Sequence, residues 1–396
     1  MPIAEVETVC YVGAGTMGCY NSLAAAVSGY QVVLYDVDKQ SLEKVSERHR
    51  EMAAMLTGSG YCSESDIAAA LDRVTVQADL AQATAHADLV SESVSEDLPI
   101  KREVHRQLDE ICPAKTIITT NSSVLPVSAI EDVLVRGDRF AALHSHLGSP
   151  LVDIVAGPRT DHAVVDVLTR YVESTKGVPL IMQKEYPGYV LNAMLGPVLG
   201  CALALLVDGV AKRDEVDRAW MLGLGATMGP LGMIDMFGLN IIFDSWENRE
   251  LDARTRRLQP KVLDLLRPYI EEDRLGMKSG RGFYDYPAPA YQNDDFLQKA
   301  EAPRDVRNAL YVALISNAIL LVIAGVAESS VIDRAWRVGT YLDAGPFEVL
   351  AGMGHEVFRQ ALADEMSAER VDPDKGRRVM EWLEQQSNTT DLESEQ

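Results

Sequence analysis

The stretch "ALHSHLGSPLVDIV" (142–155) sets His144 and His146 two residues apart, ahead of an apolar run that carries one acid, Asp153. Histidine is the side chain whose unperturbed pKa lies nearest neutral pH, so it can take a proton in one step and return it in the next. One of the pair is a candidate catalytic base, and spacing alone leaves both open. A second constellation lies near the amino end. "TVCYVGAGTMGCYNSLAAAVSGYQVVLYDVDK" holds Gly13, Gly15 and Gly18 in GxGxxG spacing between a β-rich run and a helical one, and its next apolar run closes on Asp36. Such spacing alone is weak evidence; between a strand and a helix, with an acid about twenty residues on, it marks a dinucleotide site. Gly13 permits the tight turn, Gly15 lets the backbone approach a pyrophosphate, and Gly18 packs helix against strand. The helix amino end at Thr16 and Met17 faces the phosphates. Asp36 would accept hydrogen bonds from the adenosine ribose. No arginine follows it, so a 2′-phosphate would meet a negative charge, and the expected cofactor is NAD rather than NADP. A base for a hydroxyl proton and an acceptor for a hydride together suit alcohol dehydrogenation.

These groups need a scaffold, and the chain shows one. After Asp36 a helical excursion (39–72) breaks at "TGSGYCSES"; strand-like runs follow at 74–76, in 87–97, in 115–130, at "RFAALHSH" and at 177–185. Strands alternating with helices predict an α/β Rossmann-type, doubly wound sheet, closing near 177–185. From Pro187 the pattern turns helical and apolar, and it repeats. "GVAKRDEVDRAWMLGLGATMGP" (209–230) matches "GVAESSVIDRAWRVGTYLDAGP" (325–346) without a gap, 116 residues further on. The sheet is therefore expected to be followed by two tandem all-α domains. The expected organisation is a Rossmann domain over 1–186, a helical domain over 187–290, a degenerate second copy over 300–386 and a disordered polar tail over 387–396, with "PAPAYQNDD" (287–295) as linker. Trp220 and Trp336, which recur in the repeat, read as core.

Composition excludes other classes. The chain of 396 residues carries a net charge of -22 and no cluster of lysines and arginines, which argues against nucleic acid and anionic membranes as partners. Five scattered cysteines show no metal-type spacing and suit a reducing cytoplasm. The amino end lacks a basic region followed by an apolar stretch, so no signal peptide is expected. Apolar stretches such as "VLGCALALLV" (198–207) are too short to span a bilayer and read as buried helices.

The motifs "VGAGTMG", "SESVSEDLPIK", "TNSSVLPVSAI", "KEYPGYVLN", "GPLGMIDMFGL" and "KSGRGFYDY", in that order, resemble the 3-hydroxyacyl-CoA dehydrogenase family, which includes a lambda-crystallin and gulonate dehydrogenase-like branch. The resemblance covers residues 7–290 and continues in altered form to about 365. It implies a catalytic serine at Ser123 in the Asn121-Ser122-Ser123 turn, a catalytic histidine 21 residues later at His144, and an orienting acid at Asp153 where the family has glutamate. It also implies a substrate-binding asparagine at Asn192 and a glutamate near the nicotinamide at Glu92, with Asn121 in the cofactor site. The loop after His144 is shorter than the family's and lacks its Asn-Pro. An alignment with the gap before His146 would keep the spacing to Pro150, so His146 stays an alternative base. Asn308 occupies the place of Asn192 in the second copy, where no serine or histidine motif precedes it, so a structural role for Asn192 stays open too.

The activity implied is NAD-dependent oxidation of an L-3-hydroxyacyl-CoA to the 3-ketoacyl-CoA, as in fatty acid metabolism. A CoA-free 3-hydroxy acid is the alternative substrate, and a non-catalytic NAD-binding protein of crystallin type is the alternative class. Acyl-CoA relatives meet the CoA phosphates with lysines in the helical excursion. Here 51–72 holds no lysine or arginine, and only Lys44, Arg48, His49 and Arg50 lie upstream. In single-copy relatives the helical domain forms the dimer interface. A fused second copy implies an intrachain pseudo-dimer, with the whole chain a monomer or homodimer.

Overall fold

Short runs of β-branched and aromatic residues form the strands β1 (Thr8–Val12), β2 (Gln31–Tyr35), β3 (Val74–Gln77), β4 (Leu89–Glu92), β5 (Ile117–Thr120), β6 (Phe140–Ser145), β7 (Leu151–Ala156) and β8 (Val178–Met182). In this computed structural model, which describes residues 2–248, 252–293, 295–298 and 303–394, they make one sheet in the order β3-β2-β1-β4-β5-β6-β7-β8. β4 and β5 are buried along their whole length, as central strands covered by helices on both faces must be. From β3 the chain returns to the far side of β1 to form β4. That reversal opens a crevice at the carboxyl ends of β1 and β4, where ligands of doubly wound sheets bind. All neighbours run parallel except β6 and β7, which are antiparallel. The core of this unit gathers Val9, Leu23, Leu34, Leu89, Ile154 and Leu168, all essentially buried; each contributes about 1.5–3 kcal/mol through burial. Residues up to Tyr189, with Val338–Thr340, form one compact unit.

The second unit is helical and holds both copies of the repeat. The helix pairs Arg213–Leu224 with Ser329–Thr340, and Pro230–Phe237 with Pro346–Met353, start and end 116 residues apart. The caps are duplicated as well. Asp217 accepts hydrogen bonds from the amides of Leu231 (2.8 Å) and Gly232 (3.0 Å), satisfying the amino end of Pro230–Phe237. Asp333 does the same for Phe347 (2.8 Å) in the second copy. The apolar helices Leu191–Val207 and Arg304–Ile323 pack along each other, so each copy covers the other's apolar face. Trp220 and Trp336 are fully buried and meet edge-on with ring centroids 6.3 Å apart, as core residues. Arg304–Ile323 is long and apolar enough to cross a membrane, but most of it is buried inside the helical unit.

The segment expected as a linker is partly packed: Ala290–Gln292 form a short 3₁₀ turn, and Tyr291 is buried against Tyr284 at 4.9 Å. The tail also departs from expectation, because the last helix spans Pro373–Ser394 and includes residues read as disordered. Helical backbone bonds need only local partners, so a polar composition does not end them. Residues 395–396 lie outside the described residues.

Candidate active site

β1 runs directly into the glycine turn, and the turn's sterics separate the three glycines. A Cβ at Gly13, where φ is +110°, would lie 2.6 Å from the carbonyl oxygen of Ser93; one at Gly18 would lie 1.8 Å from that of Gly13. Both are demanded by the protein's own backbone. A Cβ at Gly15 would meet nothing within 4 Å, so the protein itself gives no steric reason for glycine there. A ligand approaching the backbone does. Helix α1 (Thr16–Val27) starts at this point with no side-chain cap and no acid in its first turn. Its first intrahelical bond runs from the Cys19 amide to the Gly15 carbonyl (3.0 Å), which leaves the amides of Thr16, Met17 and Gly18 for an anion. At the end of β2, Asp36 accepts from the Ala14 amide (2.7 Å) and the Asp38 amide (2.8 Å), which fixes its carboxylate beside the turn. This cradle fits the pyrophosphate and ribose of a dinucleotide. Arg48 belongs to it as well, donating to the Ala14 carbonyl oxygen at 2.5 Å. The basic group expected to meet CoA is therefore reduced, for His49 is buried against Ser22 (3.0 Å), and Lys44 and Arg50 alone are exposed.

The histidines lie at the end of β6. The antiparallel ladder sets His144 directly opposite Asp153 on β7. His144 Nδ1 lies 2.9 Å from Asp153 Oδ2, and His146 Nε2 lies 2.9 Å from the same oxygen. Asp153 is fully buried, as is most of His144. Burial pushes the His144 imidazole below the ordinary histidine pKa and outweighs the opposing effect of its hydrogen bond to Asp153. Burial works to raise Asp153, yet the two imidazole hydrogen bonds hold its carboxyl below the usual range. Tyr189 packs on the His144 ring at 5.2 Å between centroids, and its buried hydroxyl has no hydrogen-bond partner among the described residues. Its phenol is pushed up by burial and then by the charges of Asp153, Glu96 and Glu185, so it stays neutral. The aromatic position in "KEYPGYVLN" was the only signal for it in the sequence.

β5 ends in the Asn121-Ser122-Ser123 turn, and its residues do different things. Ser122 is buried, donates to Glu96 Oε1 and accepts from the Leu125 amide (3.0 Å). Ser123 gives its amide to the same Glu96 oxygen (3.0 Å), while its hydroxyl makes no hydrogen bond among the described residues. Asn121 Oδ1 accepts the Ser145 amide (2.8 Å) and ties β5 to β6. Glu92 is a correction. It is completely buried, and its carboxylate accepts from the Val94 amide (2.6 Å), Lys101 (2.7 Å), His105 (3.0 Å) and Thr120 (2.7 Å). Burial would raise it, but His105 and Lys101 hold it down to about 2. Four partners leave it no face for nicotinamide. The acid at the serine turn is Glu96. Asn192 lies in the other unit, as the second residue of Leu191–Val207.

A doubly wound sheet with an open-topped glycine turn, a ribose-facing acid and a buried His–carboxylate pair at a strand end defines an NAD-dependent dehydrogenase. Residues 8–186 match the NAD-binding domain of 3-hydroxyacyl-CoA dehydrogenase, and residues 188–286 and 306–395 match its C-terminal domain. The chain belongs to the 3-hydroxyacyl-CoA dehydrogenase family. A probable 3-hydroxybutyryl-CoA dehydrogenase of Bacillus subtilis is 32% identical over 286 residues, covering 71% of this chain and 98% of that protein. A 3-hydroxyadipyl-CoA dehydrogenase of Escherichia coli is 29% identical over 401 residues, covering 97% of this chain and 79% of that protein. Among solved structures, a diketoreductase with dual catalysis of dicarbonyl compounds is 32% identical with a TM-score of 0.66, covering 72% of this chain and 100% of that one.

Proposed function

We propose that this dehydrogenase oxidises the 3-hydroxyl of an L-3-hydroxyacyl-CoA to the 3-ketoacyl-CoA, reversibly. The observation that carries the reading is the buried pair of His144 Nδ1 and Asp153 Oδ2, 2.9 Å apart and opposed across a ladder. With Nδ1–H given to Asp153, the His144 Nε2 lone pair is free to take the hydroxyl proton, and the carboxylate stabilises the imidazolium that results. The glycine turn, the amino end of α1 and Asp36 would hold NAD, which would supply the hydride acceptor. The free hydroxyl of Ser123 donates to the reacting oxygen as charge develops there. His144 is preferred over His146 because its ring sits on a strand whose register fixes it, whereas His146 stands just beyond the strand.

A second reading, a CoA-free 3-hydroxy acid, gains support from Arg48. Its guanidinium is held on the Ala14 carbonyl at the glycine turn, which directs that charge to the dinucleotide cradle and leaves Lys44 and Arg50 as the exposed cations of that group for a polyanion. The diketoreductase relative also has dicarbonyl compounds, not thioesters, as its named substrates. The deciding experiment compares kcat/KM for a short 3-hydroxyacyl-CoA and for its free acid, read as NADH formation. Turnover of the thioester with a KM that rises with salt sustains the first reading; turnover of the free acid alone sinks it.

A further inference from the structure

The second histidine is not needed to orient the first, yet both converge on one carboxylate oxygen. His144 Nδ1 and His146 Nε2 each lie 2.9 Å from Asp153 Oδ2, with ring centroids 4.4 Å apart and planes inclined at 74°. One ligand atom from each of the three residues falls within 4.8 Å of the others. The other carboxylate oxygen, Asp153 Oδ1, is buried and has no hydrogen-bond partner among the described residues, and neither has the Tyr189 hydroxyl beside the His144 ring. A fully buried carboxylate with one oxygen unsatisfied is an expensive arrangement unless something else uses it.

We propose that His144, His146 and Asp153 form a binding site for one divalent ion of the zinc class, and that its occupancy switches the base off. Two imidazoles and one carboxylate make the three-ligand set of open zinc sites, whereas magnesium and calcium seek oxygen shells of six or more. Bonds of about 2.0–2.1 Å in a tetrahedral site place ligand atoms roughly 3.3 Å apart; each imidazole nitrogen, 2.9 Å from Asp153 Oδ2, backs off that oxygen by a few tenths of an ångström, while the two nitrogens, within 4.8 Å of each other, close on the ion. The surroundings favour a cation: Glu96 and Asp153 both act electrostatically on His144, and the chain carries a net charge of -22.

Coordination has a chemical consequence for the base. Metal at His144 Nδ1 takes the lone pair there, so the neutral ring carries its proton on Nε2 instead. Nε2 then cannot accept the substrate's proton. The cradle around Gly15 is untouched, so NAD binding survives. This consequence rests on the assignment of His144 as base; the ion site itself does not.

Direct binding therefore tests the site without turnover. The full-length protein, stripped of metal by chelator and dialysed, is titrated with Zn²⁺ against a competing chromophoric chelator, and in parallel with Co²⁺ read by visible absorption. One ion per chain is expected, with intense tetrahedral-type Co²⁺ bands. His146→Asn and His146→Gln, checked by circular dichroism for folding, are expected to bind at least roughly tenfold more weakly. Absence of a bound ion in the parent protein, or equal binding by a folded His146 variant, overturns the assignment.

Discussion

At the scale of single residues, the chemistry rests on which nitrogen carries a proton. His144→Ala is expected to lower kcat by roughly 10²–10⁴-fold while leaving the NAD dissociation constant nearly unchanged, since the base acts on the substrate. Parallel measurement on His146→Ala decides between the histidines: loss there with activity kept in His144→Ala reverses the assignment. Acid dependence follows from the lowered pKa of His144. The base works only when neutral, so kcat/KM for oxidation should stay flat at neutral pH and fall as pH drops through a value below the ordinary histidine pKa of about 6.5. A limb centred above pH 7 would contradict it. Glu92 should behave as a structural acid. Its pKa, held at about 2, lies below the unfolded value of about 4.3. Its stabilisation is therefore complete above about pH 4.3 and lost as pH falls toward 2. Glu92→Gln removes the buried charge that faces Lys101, leaving the ammonium to Glu96 at 3.2 Å and the Val94 carbonyl, and should cost up to roughly 3–5 kcal/mol in urea unfolding at pH 7, a loss that shrinks in acid.

At the scale of elements, the glycine turn separates folding from binding. Gly18→Ala drives a methyl into the Gly13 carbonyl, 1.8 Å away, and should lower the thermal midpoint. Gly15→Ala meets no protein atom within 4 Å, so the midpoint without cofactor should hold while NAD affinity falls by tenfold or more, about 1.4 kcal/mol. Equal damage to both properties in the two variants would show that the space above Gly15 is not the phosphate site. Asp36, anchored by the Ala14 and Asp38 amides, should set cofactor choice: Asp36→Ala narrows the NAD/NADP ratio of kcat/KM, and a parent enzyme using both equally would refute that role.

At the scale of the whole molecule, the two copies of the repeat pack on each other. Leu191–Val207 lies along Arg304–Ile323, and the two tryptophans meet across the same repeat, so the apolar face of the first copy is covered within one chain. Truncation after residue 298 uncovers it. Size-exclusion chromatography with light scattering should then report dimers or aggregates. A truncated chain that remains soluble and monomeric would show that the second copy is not what covers that face.

Local pattern carried much of this in the sequence alone. The glycine spacing between strand and helix, Asp36 at a strand end, the alternation of strands and helices and the 116-residue repeat are all readable because each depends on neighbours along the chain. The tertiary structure decided what depends on partners far apart in sequence. It turned β7 antiparallel to β6, and that register put Asp153 under His144 and let His146 reach the same oxygen. It placed Glu92 among Lys101, His105 and Thr120 inside the sheet, and brought Glu96, four residues on, to the serine turn instead. It drew Arg48 from the excursion back to Ala14. None of these is encoded in spacing, because strand pairing and helix packing fix which side of a sheet, and which end of it, a side chain occupies.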